Sequence, residues 1–293
     1  MDNMSVPVIE IFGEPGAYAV QGEGMYAGTP SVFVRTFGCN LKCKFGVTEE
    51  NKAQYNDIIN SIRKDVEDGD IYKTLEDLPV IPVGCDTYYS IFPEFRKFAK
   101  DYDVEQMVEE IRWRTNNFSS KIDLVITGGE PLLPKHQTFW AHVFNEIDQK
   151  IYYGNYKQES FNVTFETNGT YDLIFDVDSY DYIRINFSIS PKLKNSGHEY
   201  IETINPAALL TYYNTPNDIW FKFVGKDNTV IDEIHDVMEL YGLDDIPIYI
   251  MPEGGTKEEL DKHQETIYNI CSKYGYRYSP RHQVSIKNNG IGI

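Results

Sequence analysis

The stretch DLVITGGEP (123–131) joins a short apolar run to a turn that contains two glycines and a proline. Two other runs end in a similar way, since VTFE is followed by TNGT (167–170) and NFSI is followed by SPK (190–192). Short apolar runs rich in β-branched residues are typical of strands, and glycine or proline directly after them indicates a turn. The pattern predicts several strands that each carry a short polar motif at the carboxyl end.

Apolar runs of the same kind recur along the whole chain, with helical patterns between them. Amphipathic spacing is clear at Val104, Met107, Val108 and Ile111, which lie at i, i+3, i+4 and i+7. This alternation predicts an α/β fold with a mostly parallel sheet or an open barrel, and such folds bind ligands at the carboxyl ends of their strands. The other runs are VPVIEIF (6–12), SVFVRTF (31–37), FNVTFET (161–167), YIRINFSIS (182–190), DIWFKFV (218–224) and IPIYIM (246–251).

The chain is strongly acidic, with 27 Lys and Arg against 45 Asp and Glu in 293 residues and a formal charge of −18. Because 41% of the residues are apolar, the chain can bury a large core, which argues against an intrinsically disordered protein. A charge of this sign repels nucleic-acid phosphates, and the sequence contains no basic groove or apolar run of membrane length. The composition therefore favours a small-molecule partner over nucleic acid or membrane.

The N-terminal segment MDNMSVPVIE carries acidic residues and no apolar stretch of secretory length, which predicts a soluble cytoplasmic protein. The four cysteines, Cys39, Cys43, Cys85 and Cys271, are too few to staple a chain of this size. Thiolate ligands or reactive thiols are therefore favoured over disulfides. Cys271 lies on the apolar stripe of a helical pattern, which predicts a core cysteine.

Residues 47–84 interrupt the alternation of strands and helices. The segment is polar and acidic, with a helix predicted near 49–66, and it returns through the sequence LPVIPVG (78–84). No domain boundary and no internal repeat is visible in the sequence. We interpret the segment as an insertion within a single domain that spans 1–293.

Cys39 and Cys43 lie in RTFGCNLKC (35–43), directly after a predicted strand. Two cysteines at this spacing are compatible with a zinc site, half of an iron–sulfur site or unligated thiols. The pair alone does not distinguish these alternatives. Spacing alone gives no ground for grouping Cys85, in VGCDT (83–87), with this pair.

Seven short motifs appear in a fixed order, and as an ordered set they are far more specific than any one of them. The motifs are VQGEG (20–24), FVRTFGCNLKC (33–43), CDT (85–87), TGGEP (127–131), ETNGT (166–170), SPK (190–192) and MPEG (251–254). With these motifs in this order, the sequence resembles the 7-carboxy-7-deazaguanine synthases, which are radical S-adenosylmethionine (SAM) enzymes. The resemblance covers nearly the whole chain.

The resemblance implies an incomplete, modified (β/α) barrel of the radical SAM type that works as a homodimer. It implies a carbon–nitrogen lyase that converts 6-carboxy-5,6,7,8-tetrahydropterin to 7-carboxy-7-deazaguanine with loss of ammonia. The product would serve 7-deazapurine biosynthesis, either queuosine in tRNA or modified bases in DNA. An electron donor such as a flavodoxin is implied as a partner.

The cluster motif of these enzymes is C-x3-C-x2-C followed by Asp-Thr, and this chain departs from it. Gly46 occupies the third position, and the cysteine before Asp-Thr comes 39 residues later, at Cys85. The resemblance implies that Cys39, Cys43 and Cys85 hold a 4Fe-4S cluster and leave one iron open for SAM. Because loop closure costs grow slowly with length, the extra residues are tolerable if their ends are packed.

The resemblance also assigns residues to the other cofactors. Mg²⁺ would bind at Thr87, since this ion prefers oxygen ligands and retains water. Glycine in the TGGEP motif permits close approach of SAM to the backbone. The residues implied for SAM binding are Asp86, Gly128, Gly129, Glu130, Ser190, Pro191 and Lys192.

A third group of residues is implied in substrate binding. Gln and Glu side chains can pair with the donor and acceptor edge of a guanine-like ring, and Arg can bind a carboxylate through two parallel hydrogen bonds. The C-terminal carboxylate is also implied to reach the substrate. This group consists of Val20, Gln21, Gly22, Glu23, Arg35, Thr127 and Ile293.

Three other interpretations fit parts of the sequence. Structural zinc held by three cysteines and a histidine would leave the other motifs without a role. A glycyl-radical activating enzyme would share the cluster and SAM machinery but act on a protein, and the QGEG, CDT and MPEG segments argue against it. A non-enzymatic scaffold would result if the inserted residues displaced Cys85 and abolished the cluster.

Overall fold

The computed structural model describes residues 4–69, 71–154, 160–242, 245–288 and 290, so the predicted site residue Ile293 lies outside the described residues. The strands are β1 (Ser5–Phe12), β2 (Ala19–Val20), β3 (Pro30–Thr36), β4 (Lys100–Asp103), β5 (Asp123–Gly128), β6 (Phe161–Thr167), β7 (Ile183–Ile189), β8 (Ile219–Gly225), β9 (Ile248–Pro252) and β10 (Arg277–Tyr278). The α-helices are α1 (Lys52–Asp68), α2 (Val104–Arg114), α3 (Pro134–Tyr153), α4 (Tyr200–Thr203), α5 (Pro206–Tyr213), α6 (Thr229–Tyr241), α7 (Lys257–Tyr274) and α8 (His282–Lys287). Single 3₁₀ segments lie at Leu75–Asp77, Tyr88–Ser90, Pro93–Phe98 and Lys194–Ser196.

The strands form one open sheet in the order β10-β9-β8-β7-β6-β5-β3-β1-β4, and β2 pairs with β3. The pairs from β3 through β5 to β10 are parallel, whereas β1 is antiparallel to both β3 and β4. Parallel neighbours need a crossover connection, and α3, α6 and α7 provide three of these connections. The predicted α/β class with a mostly parallel, open sheet is confirmed.

The strand register brings polar residues of different motifs to one edge of the sheet. Arg35 on β3 pairs with Thr127 on β5, and Glu166 on β6 pairs with Ser188 on β7. Paired residues on neighbouring strands point to the same face of a sheet. These four side chains therefore lie together near the carboxyl ends of the parallel strands, and all four line the same cavity.

The main core lies between the sheet and its helices. The ring of Phe165 on β6 packs 6.2 Å from Trp140 and 5.9 Å from Phe144, both on α3. Each fully buried side chain of this size contributes about 1.5–3 kcal/mol. Helix α2 buries three residues of its predicted stripe, and Cys271 is a buried member of this core, as predicted.

A second, smaller core holds the segment 47–84. Helix α1 buries Ile59, Ile62 and Val66, which belong to one apolar cluster with Tyr88 and Phe95. The helix begins and ends slightly later than the predicted range. The segment therefore packs into an apolar cluster of its own, which also contains Ile9 of β1.

The two ends of this segment meet beside the cysteines. The amide of Gly84 donates a hydrogen bond to the carbonyl of Phe45 at 2.6 Å. Cys43 and Cys85 consequently line the same cavity, although 41 residues separate them in the sequence. Because the two ends are packed together, the entropic cost of closing this long loop stays small.

Three short strands, β2, β4 and β10, were not recognised in the sequence. They contain two, four and two residues, which is too short for an alternating pattern to be visible. In the ranges that the structure describes, none of the helices is long and apolar enough to cross a membrane.

Candidate active site

An open cavity of about 250 Å³ lies at the carboxyl ends of the parallel strands. Its lining combines cysteines, a glycine turn and buried charged residues. Glu130 and Pro191 lie outside the lining, and Ile293 lies beyond the described residues. The predicted site residues that line the cavity are Val20, Gln21, Gly22, Glu23, Arg35, Cys39, Cys43, Cys85, Asp86, Thr87, Thr127, Gly128, Gly129, Ser190 and Lys192.

Cys39, Cys43 and Cys85 form one side of the cavity, here called the cysteine wall. All three are free thiols. Cys39 follows a turn at Gly38, just beyond β3, and its sulfur accepts a hydrogen bond from the Leu41 amide at 3.4 Å. The wall therefore combines two thiols from the loop after β3 with one from the returning end of segment 47–84.

Burial keeps the three thiols protonated. Burial, together with the nearby Glu130 carboxylate, raises the pKa of Cys39 to about 12. Burial also raises the pKa of Cys43, and burial beside Asp86 raises the pKa of Cys85. Metal binding displaces thiol protons, so a bound metal would convert these neutral groups into thiolates.

The glycine turn of TGGEP lies directly against the cysteine wall. Gly128 has a φ of +134°, a conformation that other residues avoid. A Cβ at Gly129 would collide with the Gly38 carbonyl oxygen and lie 2.8 Å from the Cβ of Cys39. The turn thus requires glycine for its own packing, and both glycines line the cavity.

Glu130 is buried beneath this turn rather than facing the cavity. Its carboxylate accepts hydrogen bonds from the Leu132 amide at 2.9 Å, the Asn168 amide at 2.8 Å and the Thr167 hydroxyl at 2.8 Å. Burial raises the pKa of Glu130, whereas these three donors favour its ionised form. The side chain joins the TGGEP turn to the TNGT turn, and its contact with SAM stays a prediction.

The SPK turn contributes two of its three residues to the cavity. The Lys192 Nζ donates a hydrogen bond to the Ser190 Oγ at 2.9 Å, and both residues line the cavity. Pro191 is buried in the turn. The turn therefore presents a cation and a hydroxyl group at the end of β7.

The thiols fit an iron–sulfur cluster better than a single metal ion. No group of three or more His, Cys, Asp and Glu side chains in the described ranges is arranged to hold one metal ion. In a cluster the cysteines bind different irons, so their sulfur atoms need not converge on one point. Three free thiols around one cavity, with Cys43 buried and Cys39 and Cys85 half-buried, match that requirement.

Glu23, Lys222 and Arg281 form another side of the cavity, here called the charged wall. The Lys222 Nζ lies 2.6 Å from Oε2 of Glu23, and the Arg281 Nε donates to Oε1 at 3.2 Å. Gln283 also donates to Oε1. Burial by itself would raise the pKa of Glu23, but the two cations lower it to about 2. Glu23 is therefore an ionised hydrogen-bond acceptor at neutral pH.

The VQGE segment is held in place by neighbouring side chains. The Gln21 Nε2 donates to Oε1 of Glu166 at 3.2 Å, and the Gln21 Oε1 accepts a hydrogen bond from the Glu23 amide at 3.1 Å. A Cβ at Gly22 would overlap the side-chain oxygen of Gln283. The polar edge that this segment offers to a ligand is thus set before the ligand arrives.

Arg35 is partly paired and partly available. Its Nε donates to Oε2 of Glu10 at 2.9 Å. Its guanidinium carbon lies 6.0 Å from the ring centre of Phe12 and 5.9 Å from that of Tyr89. The two Nη groups make no hydrogen bond to the residues that the structure describes, so they can bind a carboxylate with two parallel hydrogen bonds.

Asp86 and Thr87 directly follow Cys85, and their side chains contact Arg281 and the Cys85 sulfur respectively. The Thr87 hydroxyl lies 3.5 Å from the sulfur of Cys85. The Arg281 Nη2 donates to Oδ2 of Asp86 at 2.6 Å, while its Nε binds Glu23. Arg281 is therefore a direct link between the cysteine wall and the charged wall.

Lys222, Arg281 and Gln283 are site residues that the sequence analysis missed. Lys222 interrupts the apolar run DIWFKFV (218–224), and a charge within a buried strand is the signal that could have identified it. Arg281 and Gln283 lie in a polar stretch near the end of the chain, where no local pattern sets them apart. Glu166 was noted only as part of the ETNGT motif.

Two curated relatives match this chain over nearly its whole length. The 7-carboxy-7-deazaguanine synthase of Halobacterium salinarum is 26% identical, with 98% of this chain and 92% of the relative aligned. That of Hyperthermus butylicus is 27% identical, with 95% of this chain and 92% of the relative aligned. The predicted resemblance to the 7-carboxy-7-deazaguanine synthases is confirmed.

One solved structure has a fold similar to that of this chain. The crystal structure of QueE from Escherichia coli matches with a TM-score of 0.53 and 18% identity, covering 94% of this chain and 93% of that chain. At this identity the likeness concerns the fold. No family model matches the sequence.

Proposed function

We propose that this protein is a radical SAM enzyme that converts 6-carboxy-5,6,7,8-tetrahydropterin to 7-carboxy-7-deazaguanine with loss of ammonia. The observation that carries the proposal is the match to 7-carboxy-7-deazaguanine synthases along nearly the whole chain. The cavity supports it, because residues of all seven sequence motifs line this one space. The product would enter 7-deazapurine biosynthesis, for queuosine or a modified DNA base.

Cys39, Cys43 and Cys85 would hold the 4Fe-4S cluster of this enzyme. When bound, the cluster and SAM supply the electron and the 5′-deoxyadenosyl radical that removes a hydrogen from the substrate. The chain itself binds the cluster, SAM and the substrate, orients them relative to one another and excludes water from the site. The free thiols support the cluster, and Gly128 and Gly129 line the cavity beside them, where SAM would approach the backbone.

The substrate would bind between the charged wall and Arg35. Ionised Glu23 accepts hydrogen bonds from the N–H edge of the pterin ring, and Gln21 lies beside it. The free Nη groups of Arg35 bind the substrate carboxylate. A ring without these donors would leave buried polar groups unpaired, which is how such a site rejects analogues.

The proposal includes Mg²⁺ at Thr87 and the reaction class of a carbon–nitrogen lyase. The hydroxyl of Thr87 lines the cavity next to Cys85, where it can contribute one oxygen ligand while waters and the substrate contribute others. The lyase class follows from the loss of ammonia in the proposed reaction.

The proposal extends to the architecture and the surroundings of the enzyme. We take the open sheet as the incomplete barrel of radical SAM enzymes, in one domain over 1–293, and 47–84 as a helical insertion in the cluster loop. The contact between the two ends of that segment supports this assignment.

Free thiols persist in reducing compartments, which supports a cytoplasmic location. A homodimer and an electron donor such as a flavodoxin are proposed from the resemblance.

Anaerobic turnover with defined components tests the proposed function. The reconstituted protein is incubated with SAM, reductant, Mg²⁺ and 6-carboxy-5,6,7,8-tetrahydropterin, and 7-carboxy-7-deazaguanine is measured by mass spectrometry. We expect product and 5′-deoxyadenosine, with less product when Mg²⁺ is omitted.

Each alternative outcome refutes a different part of the proposal. Cleavage of SAM without product would refute the substrate assignment and retain the radical machinery. If neither 5′-deoxyadenosine nor product forms, the displaced-cysteine scaffold replaces the enzyme as the explanation.

A further inference from the structure

Lys222 is a buried cation in the middle of β8 that no sequence motif singled out. It is 6% exposed, and Phe221 and Phe223 on either side are fully buried in the main core. Burying a lysine is costly unless it is paired. The packing of the strand alone therefore does not explain why a charged residue is buried here.

The reason lies in the two carboxylates that Lys222 touches. Its Nζ lies 2.6 Å from Oε2 of Glu23 and 3.7 Å from Oε1 of Glu166. Gln21 completes a closed ring, because its amide nitrogen donates to Glu166 and its amide oxygen accepts from the Glu23 backbone. The ammonium group of Lys222 thus links Glu23, in the loop after β2, to Glu166 on β6, and Gln21 closes the ring between the two.

The charges around this ring show what the ammonium group balances. Arg281, which precedes α8, also faces Glu23, but it shares its charge with Asp86. Gln21 and Gln283 are neutral. Without Lys222, the buried Glu23 carboxylate would keep only the guanidinium that it shares with Asp86, and burial without enough opposite charge favours the protonated form of a carboxylate.

We propose that Lys222 is a positioning residue that keeps Glu23 ionised as an acceptor for the N–H edge of the bound heterocycle and holds Glu166 beside it. This inference rests on the proposed function and adds a specificity determinant to it. Glu23 is the acceptor, Glu166 orients Gln21, and Lys222 holds the two carboxylates at a fixed spacing. The ammonium acts through these neighbours and needs no contact with the reacting atoms.

The test compares ligand affinity across pH in three reconstituted variants. Binding of 7-carboxy-7-deazaguanine is measured by anaerobic calorimetry from pH 5.5 to 8.5 in the wild type, Lys222→Met and Lys222→Arg. Lys121→Met is the matched control, because Lys121 is exposed and lies outside the cavity lining. The KM and kcat for 6-carboxy-5,6,7,8-tetrahydropterin are measured alongside.

We expect the wild type and Lys121→Met to bind with nearly constant affinity over this range. In Lys222→Met the Glu23 carboxylate loses its nearest cation and takes up a proton, so affinity falls by about tenfold or more at low pH and recovers as pH rises. Lys222→Arg restores the flat profile, since it replaces the cation. The loss should appear in KM more than in kcat, because uniform binding is lost.

Two results would overturn the inference, and they separate it from the proposed function. If the wild type binds the product and Lys222→Met binds it equally well with a flat profile, Lys222 does not position the carboxylates and the proposed function stands. If the wild type binds neither pterin nor product, the proposed function fails and the inference fails with it. Should Lys222→Met not fold, Lys222→Gln carries the same comparison, because it also removes the charge.

Discussion

The cysteine wall and the charged wall face the same cavity but are built on opposite principles. The thiols of Cys39, Cys43 and Cys85 are neutral and free, with burial holding each pKa above its usual value. The charged wall is held together by ion pairs within the chain, since Glu23 alone has three side-chain donors. One wall therefore offers free thiols to a ligand, whereas the other offers a carboxylate that its neighbours already hold in place.

This difference indicates how the two halves of the site are assembled. Groups that bind a metal must lose their protons when it binds, and the three cysteines are accordingly free thiols without an ion pair to any residue that the structure describes. Groups that recognise a substrate edge are most effective when already oriented, so the fold pairs them in advance. Arg281 connects the two halves, because it binds Glu23 and Asp86 at the same time.

The largest expected effect comes from removing a thiol from the cysteine wall. Cys85→Ala should lose most of its iron and sulfide after anaerobic reconstitution, and its turnover should fall to the level of the uncatalysed reaction, because a ligand of the cluster is gone. Cys271→Ala is the matched control, since Cys271 lies in the main core. Iron, sulfide and product are measured in both. Equal iron content in the two variants would contradict the assignment of Cys85.

A second expected effect is steric and concerns the backbone beside the cysteine wall. In Gly129→Ala the new methyl group collides with the Gly38 carbonyl and crowds Cys39, so both turns must shift. We expect SAM to bind about tenfold to 100-fold more weakly, because overpacking of this kind costs about 1–3 kcal/mol and each 1.4 kcal/mol is a factor of ten in affinity. Equilibrium binding of SAM to the reconstituted protein measures the change.

The control for this variant is Gly16→Asn. A Cβ at Gly16 meets nothing within 4 Å, and asparagine tolerates the positive φ of +90°. SAM affinity in this variant should equal that of the wild type. A Gly129→Ala protein that binds SAM normally would show that the turn can shift without affecting the SAM site.

The smallest of the three effects comes from breaking the link between the walls. Arg281→Met leaves Glu23 with one cation and Asp86 without its partner. We expect the free energy of unfolding to fall by about 3 kcal/mol, as for other buried ion pairs that lose one member. Denaturant titration measures this change, and calorimetry should show weaker binding of 7-carboxy-7-deazaguanine.

Arg277→Met is the control for the broken link. Arg277 is exposed and donates to the Tyr249 hydroxyl at 2.9 Å, so its loss should cost about 0.5 kcal/mol or less. If both variants unfold at the same denaturant concentration, Arg281 does not join the two walls energetically.

The regular strands and the position of the site could be predicted because their signals are local. The run DLVI followed by TGGEP shows a strand and its turn within nine residues, and strand ends in an α/β sheet meet at one edge. The short strands β2, β4 and β10 gave no such signal. The burial of Glu130 beneath its turn was also not predictable, because its three donors include two from another turn, around residue 168.

The sequence by itself determined the α/β class, the parallel strands and the cysteine, glycine and SPK motifs, because each depends on residues close together in the chain. Only the tertiary structure decided that Lys222 and Arg281 join the site, since their partners lie 199, 258 and 195 positions away. It also decided that Cys85 returns to the loop of Cys43, through the contact between Phe45 and Gly84. The physical reason is that burial and charge pairing act through space, and their partners are set by how the sheet and its loops pack.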